Sequence, residues 1–323
     1  MKRRQLLGQC LVWPLFASMP WRAAHATAID DSWRDARRGR DIPLRIRWPD
    51  GNTPCALIVH SHGLGGSRHG GDVWGEAWRQ AGFAVIHVQH PGSDAEVLRA
   101  GMAALRNAAS GEQLRERVAD VKFLLDEIER RARAGESGWA RVRLDALAMS
   151  GHSFGAHTVQ ALAGQRFPVA AEGIAEPRFK AFVAFSPSPG QGANAFAGVT
   201  RPFLAATGSL DDDPLRKTMT AEDRARVFEA LPPGRRALLW LAGADHMTFG
   251  GNGEQRARSR LGVGKRDRSV VDLEPQHQAL VSAVTTLWWR AHLLSDAVAV
   301  AALRQPSGLG EGDRWRQDPR NGS

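Results

Sequence analysis

The chain has 323 residues, 43% of them hydrophobic and 24% charged, with a formal net charge of +9 and no tyrosine. That length and apolar content can bury one large core, which excludes a disordered or low-complexity chain. The positive excess does not point to a nucleic-acid partner, because most arginines are interleaved with acids, the pattern of a solvated surface.

The chain opens on Lys2-Arg3-Arg4-Gln5-Leu6-Leu7, continues through an apolar stretch from Leu11 to Met19, and reaches Ala24-His25-Ala26. A basic start, a short apolar centre and an A-x-A cleavage site read as an export signal over 1–26. The paired arginines resemble a twin-arginine motif, with a general secretory signal as the alternative. The apolar stretch is too short for a permanent membrane span. The expectation is a periplasmic or secreted protein beginning near Thr27. Cleavage takes Lys2, Arg3, Arg4 and Arg22 from the +9 total and leaves about +5; it also removes Cys10, so Cys55 has no partner for an intramolecular disulfide.

Ile42, Leu44, Ile46 and Trp48 alternate with polar residues, as a half-exposed antiparallel edge strand would. Residues 55–60 form a continuous apolar run that empties into Ser61-His62-Gly63-Leu64-Gly65-Gly66, a glycine-rich loop able to turn a backbone N–H toward a neighbouring site. His62 is expected to pack inside that loop. A further strand is predicted near 83–88. His90 to Gly111 is expected to wall a pocket, and its small residues Ala100, Ala103 and Ala104 do not spell a long apolar lid. Leu114, Val118, Val121, Leu125 and Ile128 recur at helical spacing and predict a core-facing helix.

The most specific signal is Gly151-His152-Ser153-Phe154-Gly155, set between a strand-length run at 145–150 and a helix-like run at 156–163. A strand that turns sharply into a helix lifts Ser153 clear of the sheet, and the helix N-terminus offers N–H groups to a developing anion. A nucleophilic serine then needs a base and an orienting acid, in the order Ser, Asp/Glu, His. Strands predicted near 181–185 and 203–207 precede Ser209-Leu210-Asp211-Asp212-Asp213, and a strand near 237–242 precedes Gly243-Ala244-Asp245-His246. Asp211 is the candidate acid, with Asp212 the main alternative, since any of the three aspartates could instead cap the next helix. His246 is the candidate base and His277 its rival. The backbone N–H groups of Leu64 and Phe154 are the candidate oxyanion donors.

These motifs, HSHGLGG at 60–66, GHSFGA at 151–156, TGSLDDDP at 207–214 and GADHMTFGG at 243–251, resemble the α/β-hydrolase superfamily. More narrowly they resemble the predicted dienelactone hydrolases related to platelet-activating-factor acetylhydrolases. The resemblance spans about residues 40 to 295. It implies an α/β-hydrolase fold and a serine esterase whose triad falls on Ser153, Asp211 and His246. True dienelactone hydrolases carry a cysteine nucleophile, so the serine here leaves the substrate open.

The alternation of strand and helix runs independently predicts a mostly parallel sheet covered on both faces. One domain is expected over 27–304, with a polar, disordered tail at 305–323. Leu280, Val284, Leu287, Ala291 and Leu294 predict a late helix, and the basic run from Arg256 to Arg268 is either a charged insertion or an attractor of anionic substrates. No CxxC, HExxH or other metal-ligand spacing is present, and the serine mechanism needs neither metal nor cofactor. The expected activity is hydrolysis of small or short-acyl carboxylic esters. Acyl transfer, a phospholipid-type acetylhydrolase, and a non-catalytic binding protein on the same scaffold are the alternatives.

Overall fold

The computed structural model describes residues 28–167, 174–214, 219–252 and 266–318. The expected export segment and most of the basic run lie outside the described residues. Among the described residues nine strands form one sheet: β1 (Ile29–Asp35), β2 (Arg40–Arg47), β3 (Cys55–Ser61), β4 (Ala84–Val88), β5 (Val142–His152), β6 (Phe179–Phe185), β7 (Phe203–Leu210), β8 (Arg236–Asp245) and β9 (Arg314–Gln317), in the spatial order β1-β2-β4-β3-β5-β6-β7-β8-β9. The six strands from β4 to β8 in that order run parallel; β1, β2 and β9 are antiparallel to their neighbours.

The central strands are buried on both faces, as continuous apolar runs require. Within β3, Leu57 and Val59 face one core with α4 (Gly111–Arg133) and α5 (Phe154–Ala163), while Ala56 and Ile58 face a second core with α1 (Asp72–Gln80) and α8 (Arg268–Leu293). The stripe Leu114, Val118, Val121, Leu125 and Ile128 is buried on α4, and Leu280, Val284 and Ala291 are buried on α8. His277 lies inside α8, and Leu294 is exposed just past its end. Cys55 is a buried free thiol. No described helix is long and apolar enough to cross a membrane.

Two expectations are corrected. β2 is antiparallel but is not an edge, because the polar segment IDDSWRD forms β1 outside it, with Trp33 as its buried inward side chain. Residues 305–318 are ordered, against the expected disordered tail. β9 satisfies the outer backbone edge of β8, pairing Leu239 with Trp315, as buried or half-buried backbone groups demand. The Trp315 indole donates to the Leu303 carbonyl, Asp313 accepts from the Ala242 N–H, and Asp318 accepts from Arg236.

Candidate active site

The parallel strands deliver their C-terminal ends to one rim of the sheet. β5 ends at His152, and Ser153 turns the chain into α5 with φ 57° and ψ −116°, a conformation costing a non-glycine residue about 1–3 kcal/mol. The Ser153 N–H donates to the Phe185 carbonyl at the end of β6, and its own carbonyl accepts from the His157 N–H. The flanking glycines are required by close approach. A Cβ on Gly155 would sit 1.9 Å from the Ser61 carbonyl oxygen, and one on Gly151 would sit 2.5 Å from the Gly155 carbonyl oxygen. Helix α5 therefore lies against the exit of β3 at backbone contact.

Ser153, His246 and Asp211 come together as one hydrogen-bonded chain. The Ser153 hydroxyl donates to His246 Nε2 at 2.9 Å, and His246 Nδ1–H donates to Asp211 Oδ1 at 2.7 Å. Because a carboxylate only accepts, the proton sits on Nδ1 and leaves Nε2 bare toward the serine. Asp211 follows β7 and is fully buried; its other oxygen accepts from Thr207 Oγ1 at 2.8 Å. Asp212 is turned away, accepting from the Ala221 N–H at the start of α6 (Ala221–Ala225), which the single turn α7 (Val227–Ala230) follows. His246 follows β8, whose exit is fixed by α1: the N–H groups of Gly71 and Val73 donate to the carbonyls of Gly250 and Gly251, and the Trp74 indole donates to the Phe249 carbonyl.

The candidate oxyanion loop lies beside the serine. A Cβ on Gly63 would come within 3.3 Å of Ser153 Cβ. The N–H groups of Gly65 and Gly66 are used by the carbonyls of Ser93 and Gly63, whereas those of Leu64 and Phe154 have no acceptor among the described residues. His62 is committed at both nitrogens: Nδ1–H donates to the Gly63 carbonyl at 2.6 Å, and Nε2 accepts from the His90 N–H at 3.0 Å. The segment after β4 packs onto this loop through Leu98 and Leu105, carried by α2 (Ala95–Arg99) and α3 (Met102–Ala108).

Several participants were not foreseen from the sequence. Arg224 is buried, with its Nε 3.2 Å from Asp211 Oδ1, and it donates to the carbonyls of Asp211, Ser186 and Pro187, so it ties the exits of β6 and β7 together. Ser186, with φ 54° and a buried hydroxyl lacking a partner, begins that β6 exit. The Gln160 amide clamps Ser188 by donating to its carbonyl at 2.7 Å and accepting from its N–H at 3.2 Å. Arg117 on α4 is wholly buried; burial pulls its pKa down to about 9, so it remains protonated at neutral pH. Of the basic loop, Arg266 is engaged by Asp245 and Glu274, so its charge is already neutralised. Among the described residues no cluster of three or more His, Cys, Asp or Glu side chains could hold a metal.

No family model and no curated protein matches the chain. Among solved structures, the crystal structure of a 2,6-dihydroxy-pseudo-oxynicotine hydrolase matches with a TM-score of 0.52 and 14% identity, covering 84% of this chain and 69% of that one. The likeness identifies the α/β-hydrolase fold. It extends to 837 solved chains, a breadth that leaves the activity to be argued from the site itself.

Proposed function

We propose that the protein is a serine carboxylic-ester hydrolase that works through an acyl-enzyme on Ser153. The reading is carried by one observation, the continuous hydrogen-bonded chain from Ser153 through His246 to the buried Asp211. His246 Nε2 takes the Ser153 proton as Oγ attacks the ester carbonyl, and Asp211 stabilises the imidazolium that forms. The new oxyanion accepts hydrogen bonds from the Leu64 N–H of the loop after β3 and from the Phe154 N–H at the positive end of α5. Collapse expels the alcohol, which leaves with the proton held by His246. Water, deprotonated by the same imidazole, then releases the acid and restores the serine. The structural neighbour is itself named a hydrolase, in keeping with this chemistry.

Small or short-acyl esters are the proposed substrates; the short helices α2 and α3, rather than one long apolar helix, in the segment from His90 to Gly111 support that choice. Residues 1–26 are proposed to export the protein to the periplasm or beyond. Labelling of the purified protein with a fluorophosphonate, read by peptide mapping, tests the reading. A single adduct on Ser153, abolished by Ser153→Ala and accompanied by turnover of short-chain esters, is the expected result. Folded protein that takes no label would overturn it in favour of a binding protein.

A further inference from the structure

We infer that Arg117 is the positioning residue of the oxyanion hole, holding the loop that carries the Leu64 N–H at a fixed distance from the helix that carries the Phe154 N–H. This inference rests on the serine-hydrolase reading above.

Arg117 enters from α4 and spends its guanidinium on three elements around the nucleophile. From the exit of β3 it binds the Ser61 hydroxyl at 3.1 Å and the His62 carbonyl. From the exit of β4 it binds the Ser93 hydroxyl at 3.1 Å, and the Ser93 carbonyl in turn accepts from the Gly65 N–H. From α5 it binds Thr158 Oγ1 at 3.1 Å, and its Cζ lies 4.7 Å from the centre of the Phe154 ring. The planar fork of an arginine can satisfy such divergent acceptors at once, which a lysine cannot.

None of those acceptors is a carboxylate. Asp120, one turn further along α4, is committed to Arg38, Arg40 and His90 Nδ1. A buried cation without a directly paired anion is a costly arrangement for stability alone. It becomes intelligible where a negative charge develops nearby during turnover, as it would beside Phe154 and the 62–64 loop. The acceptors are themselves held. His90 Nδ1–H donates to Asp120, so its bare Nε2 accepts the Ser61 hydroxyl proton at 3.0 Å and leaves the Ser61 lone pairs for Arg117. Ser61, His90 and Asp120 thus form a second Ser-His-Asp chain, fully buried, whose work on this reading is to orient Arg117.

The test uses the full protein and two variants, Arg117→Lys and Arg117→Met, with active sites counted by fluorophosphonate. Wild type that fails to label at Ser153 overturns the serine-hydrolase reading itself. Given labelled wild type, Arg117→Lys is expected to lower kcat for a short-chain ester about 10- to 100-fold with KM within about twofold. It should weaken an ester-like trifluoromethyl ketone, which forms an oxyanion on Ser153, by the same factor as kcat/KM. Arg117→Met should lose at least as much; if it does not fold, Arg117→Lys alone decides. Unchanged kcat per titrated site, or a fall in kcat with undiminished ketone affinity, would show that Arg117 supports the fold and not the hole.

Discussion

His152 Nε2–H donates to the carbonyl oxygen of His246 at 2.9 Å, and the two imidazole rings stand 4.7 Å apart. The residue before Ser153 therefore fixes the backbone of the histidine facing that serine. His152→Ala should lower kcat about 10- to 100-fold with little change in KM, because a small misplacement of the base is expensive in rate. His152→Gln retains a donor near Nε2 and should recover part of the loss. Steady-state kinetics on a short-chain ester would decide, and full activity in His152→Ala would leave the contact without catalytic weight.

Ser153→Ala and His246→Ala should each lower kcat by roughly 10⁴- to 10⁶-fold, while Asp211→Asn should cost less. Asp212→Asn should retain near-normal kcat, since its carboxylate caps α6. A greater loss in Asp212→Asn than in Asp211→Asn would transfer the role of the acid.

Gly155→Ala should destabilise the protein by about 2 kcal/mol or more, read from the urea midpoint. The added methyl meets backbone atoms of Ser61 and His62, which cannot move aside without parting α5 from β3. Wild-type stability in this variant would mean that the interface opens freely.

Acid should unfold the protein early. Burial holds His60 down to about 3 and His62, His87, His90 and His152 well below the ordinary histidine value. Below about pH 6.5 the unfolded chain takes up protons that the folded chain refuses, so stability falls with falling pH. Each such histidine contributes up to about 1.4 kcal/mol per pH unit. The loss through His60 continues until its folded value is reached. Unfolding midpoints measured from pH 8 to pH 5 should drop steeply below 6.5; a flat profile would contradict these burials.

The strands from β3 to β8 were legible because strands buried on both faces need uninterrupted apolar runs. β1 and β9 were not, because each carries one tryptophan inward and, apart from the exposed Ile29, is otherwise polar, its pairing supplied by backbone groups. The order of serine, aspartate and histidine was legible because each follows a strand. The choice of Asp211 over Asp212 depends on the turn in which the Asp211 N–H donates to the Gly208 carbonyl, which spacing only suggests. Arg224 carried no sequence signal. Arg117 did: it falls within the stripe of Leu114, Val118 and Val121, where a solvated charge has no place.

Ser153 follows the fifth strand across the sheet, whereas His246 follows the eighth, next to the four-residue β9 that closes the border. The proposed nucleophile and base therefore leave the sheet at unequal distances from its border, where pairing is shortest and local opening begins most readily. Fraying that begins at the β8–β9 border would withdraw the base while the strand bearing the serine stayed paired on both sides. Mild heat or denaturant would then silence the protein while most of its secondary structure still stood, making activity a gauge of that one border.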